Sequence, residues 1–204
     1  MDDHAENSIV VASGANMLLN EQDVDKVVEE MCEGDILLMQ LEIPIQTVEY
    51  AARRAFEKGV KVVLNPAPAR SLPKELLRYL FMITPNRIEA EMLTGIKIVN
   101  DADAERVAKE ISAMGVQNII VTLGSKGCLV REGDTSYCVD AFKVEPVDTT
   151  AAGDTFNGAL CVGLAEGMNL RQAAVMASKA SSVAVTRMGA QSSIPHRKEL
   201  DLNE

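Results

Sequence analysis

Apolar residues in this chain fall into two alternating patterns. Short runs of consecutive apolar, β-branched-rich positions read as buried strands: residues 9–13 (IVVAS), 35–41 (DILLMQL), 60–64 (VKVVL), 81–84 (FMIT) and 118–123 (NIIVTL). Between them, apolar residues recur every three or four positions. Val24, Val27, Val28 and Met31 predict a helix over 21–33, and Val48, Ala51, Ala52, Ala55 and Phe56 mark one face of a helix running from Pro44 towards Gly59. A short helix is expected after Pro73, one from Pro85-Asn86 to Gly95, and one over 101–114. Residues 128–131 and 136–139 flank Gly133-Asp134 and read as a hairpin, and two long Ala-rich helices follow over 153–166 and 170–187. Strand and helix alternate until the late hairpin, which is the order of an α/β fold on a largely parallel sheet. Such sheets bind ligands beyond the carboxyl ends of their strands. Segments 40–44, 65–70, 84–89 and 122–127 all hold that position and are expected to line one cleft.

Composition narrows the function without deciding it. The 204 residues fit one domain, 1–204, and 47% hydrophobic with 25% charged residues describes a globular chain with a real core. With 3% aromatic residues and no Trp, that core is built from aliphatics and ten Met, and few rings are available to stack bases. A net charge of −10 argues against nucleic acid and anionic membrane as partners. Cys32, Cys128, Cys138 and Cys161 form no C-x-x-C pair, and His4 and His196 complete no zinc spacing, so the thiols read as small buried hydrophobes in a reducing compartment. No apolar run approaches the ~18 residues of a membrane helix. The acidic start MDDHAENS is unlike a signal peptide, so the expected location is cytoplasmic.

The segment DTTAAGDTFNGAL (148–160) holds the strongest candidate chemistry. Small residues Ala151, Ala152 and Gly153 stand where a loop enters a helix. Unpaired N–H groups and the helix dipole at such a point favour an anion such as phosphate, and small side chains let it come close. Asp154 would sit in the first turn beside that anion, able to take a proton from an attacking hydroxyl. The alternative reading of the same residues is an ordinary capped helix start. There is no Walker A and no G-x-G-x-x-G. TLGSKG (122–127) follows a buried strand and could hold phosphate or ribose through backbone and hydroxyl groups, or be only a turn.

Taken together, seven segments resemble the ribokinase/PfkB family of carbohydrate kinases: GAN (14–16), MQLEIP (39–44), NPAPA (65–69), TPNRIEAEMLTG (84–95), TLGSKG (122–127), VDTTAAGDTFNGAL (147–160) and AVTRMGAQSSIP (184–195). They cover nearly the whole chain. NPAPA with AAGD, where much of the family has GAGD, is similar to its ribokinase branch. The resemblance implies a ribokinase-like fold and an alcohol-acceptor phosphotransferase making ribose 5-phosphate from ATP and D-ribose. It implies Asp154 as base, Ala151, Ala152 and Gly153 as anion hole, and Glu42 on the sugar. Asn86, Thr122, Leu123, Gly124, Ser125, Lys126, Gly127, Gly153, Asp154 and Ser178 would contact the nucleotide. Glu89, with Asn86, would organise Mg²⁺ and its waters, and Asp148, Thr150, Ala184, Arg187, Gly189 and Ser193 would surround K⁺.

One departure from the family is expected to matter. Relative to the family pattern, the first strands of the sheet, a di-glycine sugar motif and most of the β-lid are absent, and a homodimer is implied only where the full-length lid is present. Readings that keep the fold are a kinase for another sugar or nucleoside, and a nucleotide-binding remnant without catalysis.

Overall fold

A computed structural model describes residues 13–200; the strand expected at 9–13 lies almost wholly outside the described residues. Six strands form one sheet in the spatial order of the sequence: β1 (Ile36–Met39), β2 (Lys61–Leu64), β3 (Met82–Ile83), β4 (Asn118–Thr122), β5 (Cys128–Glu132) and β6 (Thr135–Val139). The first four are mutually parallel, and β5 and β6 add an antiparallel hairpin beyond β4. The expected α/β class and late hairpin are therefore present.

Side-chain alternation separates the two faces of this sheet. Val62, Leu64, Ile83, Ile119 and Val121 point into one apolar core. There they meet α1 (Glu21–Glu30), α2 (Ile45–Glu57), α3 (Lys74–Leu77), α4 (Arg87–Thr94) and α5 (Asp101–Ala113). Val63, Met82, Ile120, Cys128 and Val130 point the other way, onto α6 (Ala152–Ala165) and α7 (Leu170–Ala184). Both faces are covered, which is why the strands read as continuous apolar runs. Strands that pair in sequence order with crossovers of one hand place every connecting helix on the same face. The opposite face is left for the last two helices. Gly163 lets them approach closely: a Cβ there would lie 3.1 Å from that of Ala173.

Some sequence expectations change. α1 ends at Glu30 because Met31 is extended (ψ 147°), and Val27 on it is exposed while Val24 and Val28 are buried. Phe56 is likewise exposed, lying against the Tyr79 ring at 5.7 Å between centroids. α7 stops at Ala184, three residues early, and continues only as single-turn hydrogen bonds to Thr186 and Arg187. Of the four thiols only Cys128 is fully buried; Cys32 and Cys138 are exposed, so the reading of all four as buried hydrophobes fails. Burial drives the Cys128 thiol up to about 12 and the Cys161 thiol to about 11, so both are inert near neutrality. No helix among the described residues is long and apolar enough to cross a membrane.

Gly127 joins the β4 end to the hairpin. Its φ is +89°, and a Cβ would fall on the Val139 carbonyl oxygen and within 2.7 Å of the Ala141 nitrogen. Backbone cannot yield as a side-chain tip can, so Gly127→Ala is expected to destabilise the chain by about 2–3 kcal/mol. Urea unfolding of the two proteins at equal m-value measures the difference.

Candidate active site

The carboxyl ends of β1, β2 and β3 each pass directly into a polar residue: Gln40, Asn65 and Thr84. Gln40 Nε2 donates to Asn65 Oδ1 (3.3 Å), and Asn65 Nδ2 donates to the Thr84 carbonyl (3.1 Å). The Thr84 hydroxyl donates to Asn157 Oδ1 (2.6 Å), and Asn157 Nδ2 donates to the Gly153 carbonyl (2.9 Å). Gln40 Nε2 also donates to Asp154 Oδ1 at 2.7 Å. Three strand ends are thus tied to the first turn of α6. At β4, Thr122 pairs with Asn86, and its N–H donates to the Pro85 carbonyl (2.9 Å). The four strand-end segments are linked by these bonds, but they do not line one cleft: residues of 122–127 line one cavity, and Gln40, Glu42 and Ile43 line another.

α6 begins unlike its neighbours. Asn20, Asn86, Asn100 and Asn169 cap α1, α4, α5 and α7, each in a reciprocal capping box. The residue before α6 is Ala151, in the left-handed region (φ 57°, ψ 15°), with no side-chain cap. It is the one non-glycine with positive φ among the described residues. A left-handed residue followed by helical ones turns successive N–H groups into one concavity, an anion-binding nest. The N–H groups of Ala151, Gly153 and Asp154 meet no acceptor among the described residues, and that of Ala152 makes only a long 3.3 Å bond to the Thr149 carbonyl. Asp154 is exposed at the rim of this turn.

A cavity of about 350 Å³ opens beside the nest. Ala152, Gly153 and Phe156 form one side, Thr122, Gly124, Ser125 and Gly127 the second, and Ser178, Ser181 and Val185 of the α7 region the third. The structure therefore brings most of the expected nucleotide contacts together, including Ser178, which is buried among apolar neighbours on α7. Asn86, Leu123, Lys126 and Asp154 do not line it. Leu123 closes the turn by donating its N–H to Gly127 O (2.8 Å), and Lys126 is exposed.

Asn86 and Glu89 form the α4 capping box. Glu89 accepts from the Asn86 N–H and Nδ2 at 2.8 Å each, and Asn86 Oδ1 accepts from the Glu89 N–H. Glu89 is buried, and burial raises its pKa against the lowering effect of the Asn86 N–H bond. A solvated helix carboxylate is not what stands there.

Asp148 is buried and accepts from the Thr150 N–H (2.9 Å) and the Gly189 N–H (3.0 Å). The Thr150 hydroxyl first, then these two N–H groups, hold its carboxyl below the ordinary carboxylate range. Asp148, Thr150 and Gly189 are thus brought together, and the Val147 and Asp148 N–H groups bond the Val185 carbonyl beside Ala184. Arg187 turns its guanidinium to Glu199 (2.7 Å), leaving only its backbone on this side, and the buried Ser193 donates to the Ala190 carbonyl (2.7 Å). Glu42 is exposed, on a groove shared with Gln40 and Ile43.

Sequence reasoning gave Gln40, Asn65, Thr84 and Asn157 no individual role, although the first three open segments expected at the cleft. The available signal was a hydrogen-bonding residue directly after each apolar strand.

Residues 1–197 match the profile described as pfkB family carbohydrate kinase. The chain belongs to that family. It is 46% identical over 195 residues to a ribokinase of Haemophilus influenzae, covering 96% of this chain and 64% of that protein. Among solved structures, the ribokinase of Thermotoga maritima superposes with a TM-score of 0.85 at 39% identity, over 98% of this chain and 65% of that one. The Arabidopsis thaliana ribokinase, complexed with ribose and ATP, gives 0.86 at 30% identity over 96% and 64%. The chain thus spans just under two thirds of the length of each of these relatives.

Two outcomes are expected here. Ala151→Gly removes a side chain from a left-handed residue and should stabilise the chain by about 1 kcal/mol, read as a higher urea midpoint. The bonds to ionised Asp148 contribute stability that is fully present above its unfolded pKa, near 3.8, and is lost as pH falls through the lower folded value. The stability difference between the parent and Asp148→Asn should therefore shrink progressively below that pH, measured by urea titrations in steps from pH 6 to 2.5.

Proposed function

We propose that this chain carries the phosphoryl-transfer centre of a sugar kinase that uses ATP to convert D-ribose to ribose 5-phosphate. The observation that supports it most is the α6 start: N–H groups open to an anion, next to an exposed carboxylate and a cavity lined by the 122–127 turn. Relatives described as ribokinases support the choice of acceptor.

In this reading the adenosine and phosphates occupy the cavity, with Ser178 towards the base and Thr122, Gly124, Ser125 and Gly127 along the nucleotide. Asn86, at the β4 end, stands near the phosphates. The 5-hydroxyl of the sugar, held in part by Glu42, gives its proton to Asp154. Its oxygen forms a bond to the γ-phosphorus as the bond from that phosphorus to the β–γ bridging oxygen breaks and ADP leaves. Negative charge on the transferred group meets the N–H groups of Ala151, Ala152 and Gly153, which need no reorganisation to receive it.

Both oxygens of Glu89 already accept from Asn86, so the pair suits an outer position around Mg²⁺, through water, where the metal would neutralise phosphate charge. Asp148, kept ionised, together with the carbonyls of Thr150 and Ala184 and the backbone near Arg187, Gly189 and Ser193, offers hard oxygen donors suited to K⁺. A monovalent cation there would strengthen the field at the anion hole.

A second reading has one observation behind it. Glu42 is exposed and has no hydrogen-bond partner among the described residues, so the sugar side is less built than the nucleotide side. That favours a nucleotide-binding unit that does not turn over sugar by itself. A coupled assay for ADP release with ribose, deoxyribose and fructose as acceptors, run beside calorimetry with a non-hydrolysable ATP analogue, separates the two. Ribose-dependent ADP release supports the kinase; analogue binding without release supports the second reading; binding of neither ligand by folded protein overturns both. In active protein, Asp154→Asn should lower kcat by about 10³-fold while leaving KM for ATP little changed. Unaltered turnover would remove Asp154 as base.

A further inference from the structure

The polar chain at the strand ends has a direction, and backbone carbonyls impose it. A carbonyl can only accept. The Thr84 carbonyl meets Asn65, so Asn65 must turn its Nδ2 that way and offer Oδ1 to the other side. Gln40 faces that oxygen and must present Nε2, not Oε1. The Gly153 carbonyl meets Asn157, so Asn157 presents Nδ2 there and Oδ1 to the Thr84 hydroxyl, which donates. Asn65, Thr84 and Asn157 are all buried, at 8%, 1% and 4% exposure. None of these amides can flip without setting like poles together.

The consequence reaches Asp154. An amide oxygen turned to the carboxylate would repel it, and the bond to Asn65 closes off that orientation as well. Here Gln40 Nε2 is committed and donates to Asp154 Oδ1 at 2.7 Å. Asp154 Oδ2 accepts no hydrogen bond among the described residues. The two oxygens of an exposed carboxylate at a helix start are thus made unequal. One is fixed by a directed donor; the other keeps its lone pairs free.

Resting on the assignment of Asp154 as base, we propose that Gln40 is the positioning residue for that base. It holds Oδ1, sets the carboxylate plane and leaves Oδ2 as the oxygen that takes the sugar proton, while the Thr84 carbonyl, acting through Asn65, fixes the polarity of its amide. Gln40 touches neither substrate in this scheme. It acts on the chemical step through the orientation of Asp154, and misplacement of a reacting group by about 1 Å can cost on the order of 10²-fold in rate.

Gln40 is only half-buried, so its variants should fold. Gln40→Leu keeps the bulk and removes the donor. Gln40→Glu keeps the shape and reverses the polarity against Asp154. In ribose-dependent turnover we expect kcat to fall about 10- to 100-fold in Gln40→Leu and further in Gln40→Glu, with KM for ATP and ribose within about twofold of the parent. A merely structural role would move KM and thermal midpoint together with kcat. Parent-like kcat in both Gln40 variants, with Asp154→Asn inactive, overturns the positioning role and leaves the base intact. Active Asp154→Asn overturns the base itself, and the positioning role with it.

A second measurement needs no turnover. In ¹⁵N-labelled chain both Gln40 side-chain amide protons should be slowed in solvent exchange, one by Asn65 Oδ1 and the other, as a separate resonance, by Asp154 Oδ1. Replacement Asp154→Ala should shift that resonance and speed its exchange about tenfold, whereas Asp148→Asn should leave it unchanged. An identical Gln40 resonance in parent and Asp154→Ala would overturn the proposal whatever the activity of the chain.

Discussion

Everything at the candidate site hangs on one buried polar chain that joins three parallel strand ends to the first turn of one helix. Asn65, Thr84 and Asn157 lie out of water, and each would be costly to leave unpaired. Their mutual satisfaction therefore fixes α6 in place over the sheet. Packing of α6 on α7 and of both on Val63, Met82 and Ile120 supplies the apolar part of that docking. Apolar contact alone would tolerate a helix sliding along its axis. The hydrogen bonds do not, because a slip of one residue would break the Asn157–Thr84 bond and move Asp154 away from Gln40.

The topology explains why this helix, and not an earlier one, occupies the site. Four parallel strands paired in sequence order send all their crossover helices to one face. A chain that has filled that face must cross to the other before it can bury the remaining side of the sheet. The β5–β6 hairpin gives it that turn. The segment after the hairpin then returns over the carboxyl ends of the strands, where the N-terminus of α6 meets Gln40 and the 122–127 turn. Ligand geometry follows from how the second face is covered.

Much of this was legible in the residues. Runs such as VKVVL and NIIVTL marked strands because both their faces are buried, and the strand-end segments marked the edge of the sheet where the polar chain lies. Segment 148–160 drew attention through its small residues at a helix start. What local pattern could not supply were pairings between residues far apart in sequence. Gln40 and Asp154 are 114 positions apart, and Thr84 and Asn157 are 73 apart, so no periodicity links them. Nor did composition reveal that Val27, Phe56 and Cys138 face water, since an apolar residue on the surface leaves the helix or strand pattern intact. That both oxygens of Glu89 are engaged in the capping box and its side chain is buried is likewise visible only in the structure.

The helix starts of this chain are of two kinds. Where α1, α4, α5 and α7 begin, an asparagine and its partner three residues on satisfy the free N–H groups. The same sequence has every means of capping α6 in that way, yet places Ala151 there in a conformation that disfavours a side chain. Strain of this kind persists only where the surroundings over-determine it. The surroundings here are Asp148, which pins the preceding turn to the Thr150 and Gly189 N–H groups, and Asn157, which pins the following turn to Thr84. Two well-satisfied anchors thus hold a poorly satisfied turn between them. The unsatisfied part is a row of N–H groups next to a directed carboxylate, which suits transient negative charge better than any permanent cap would.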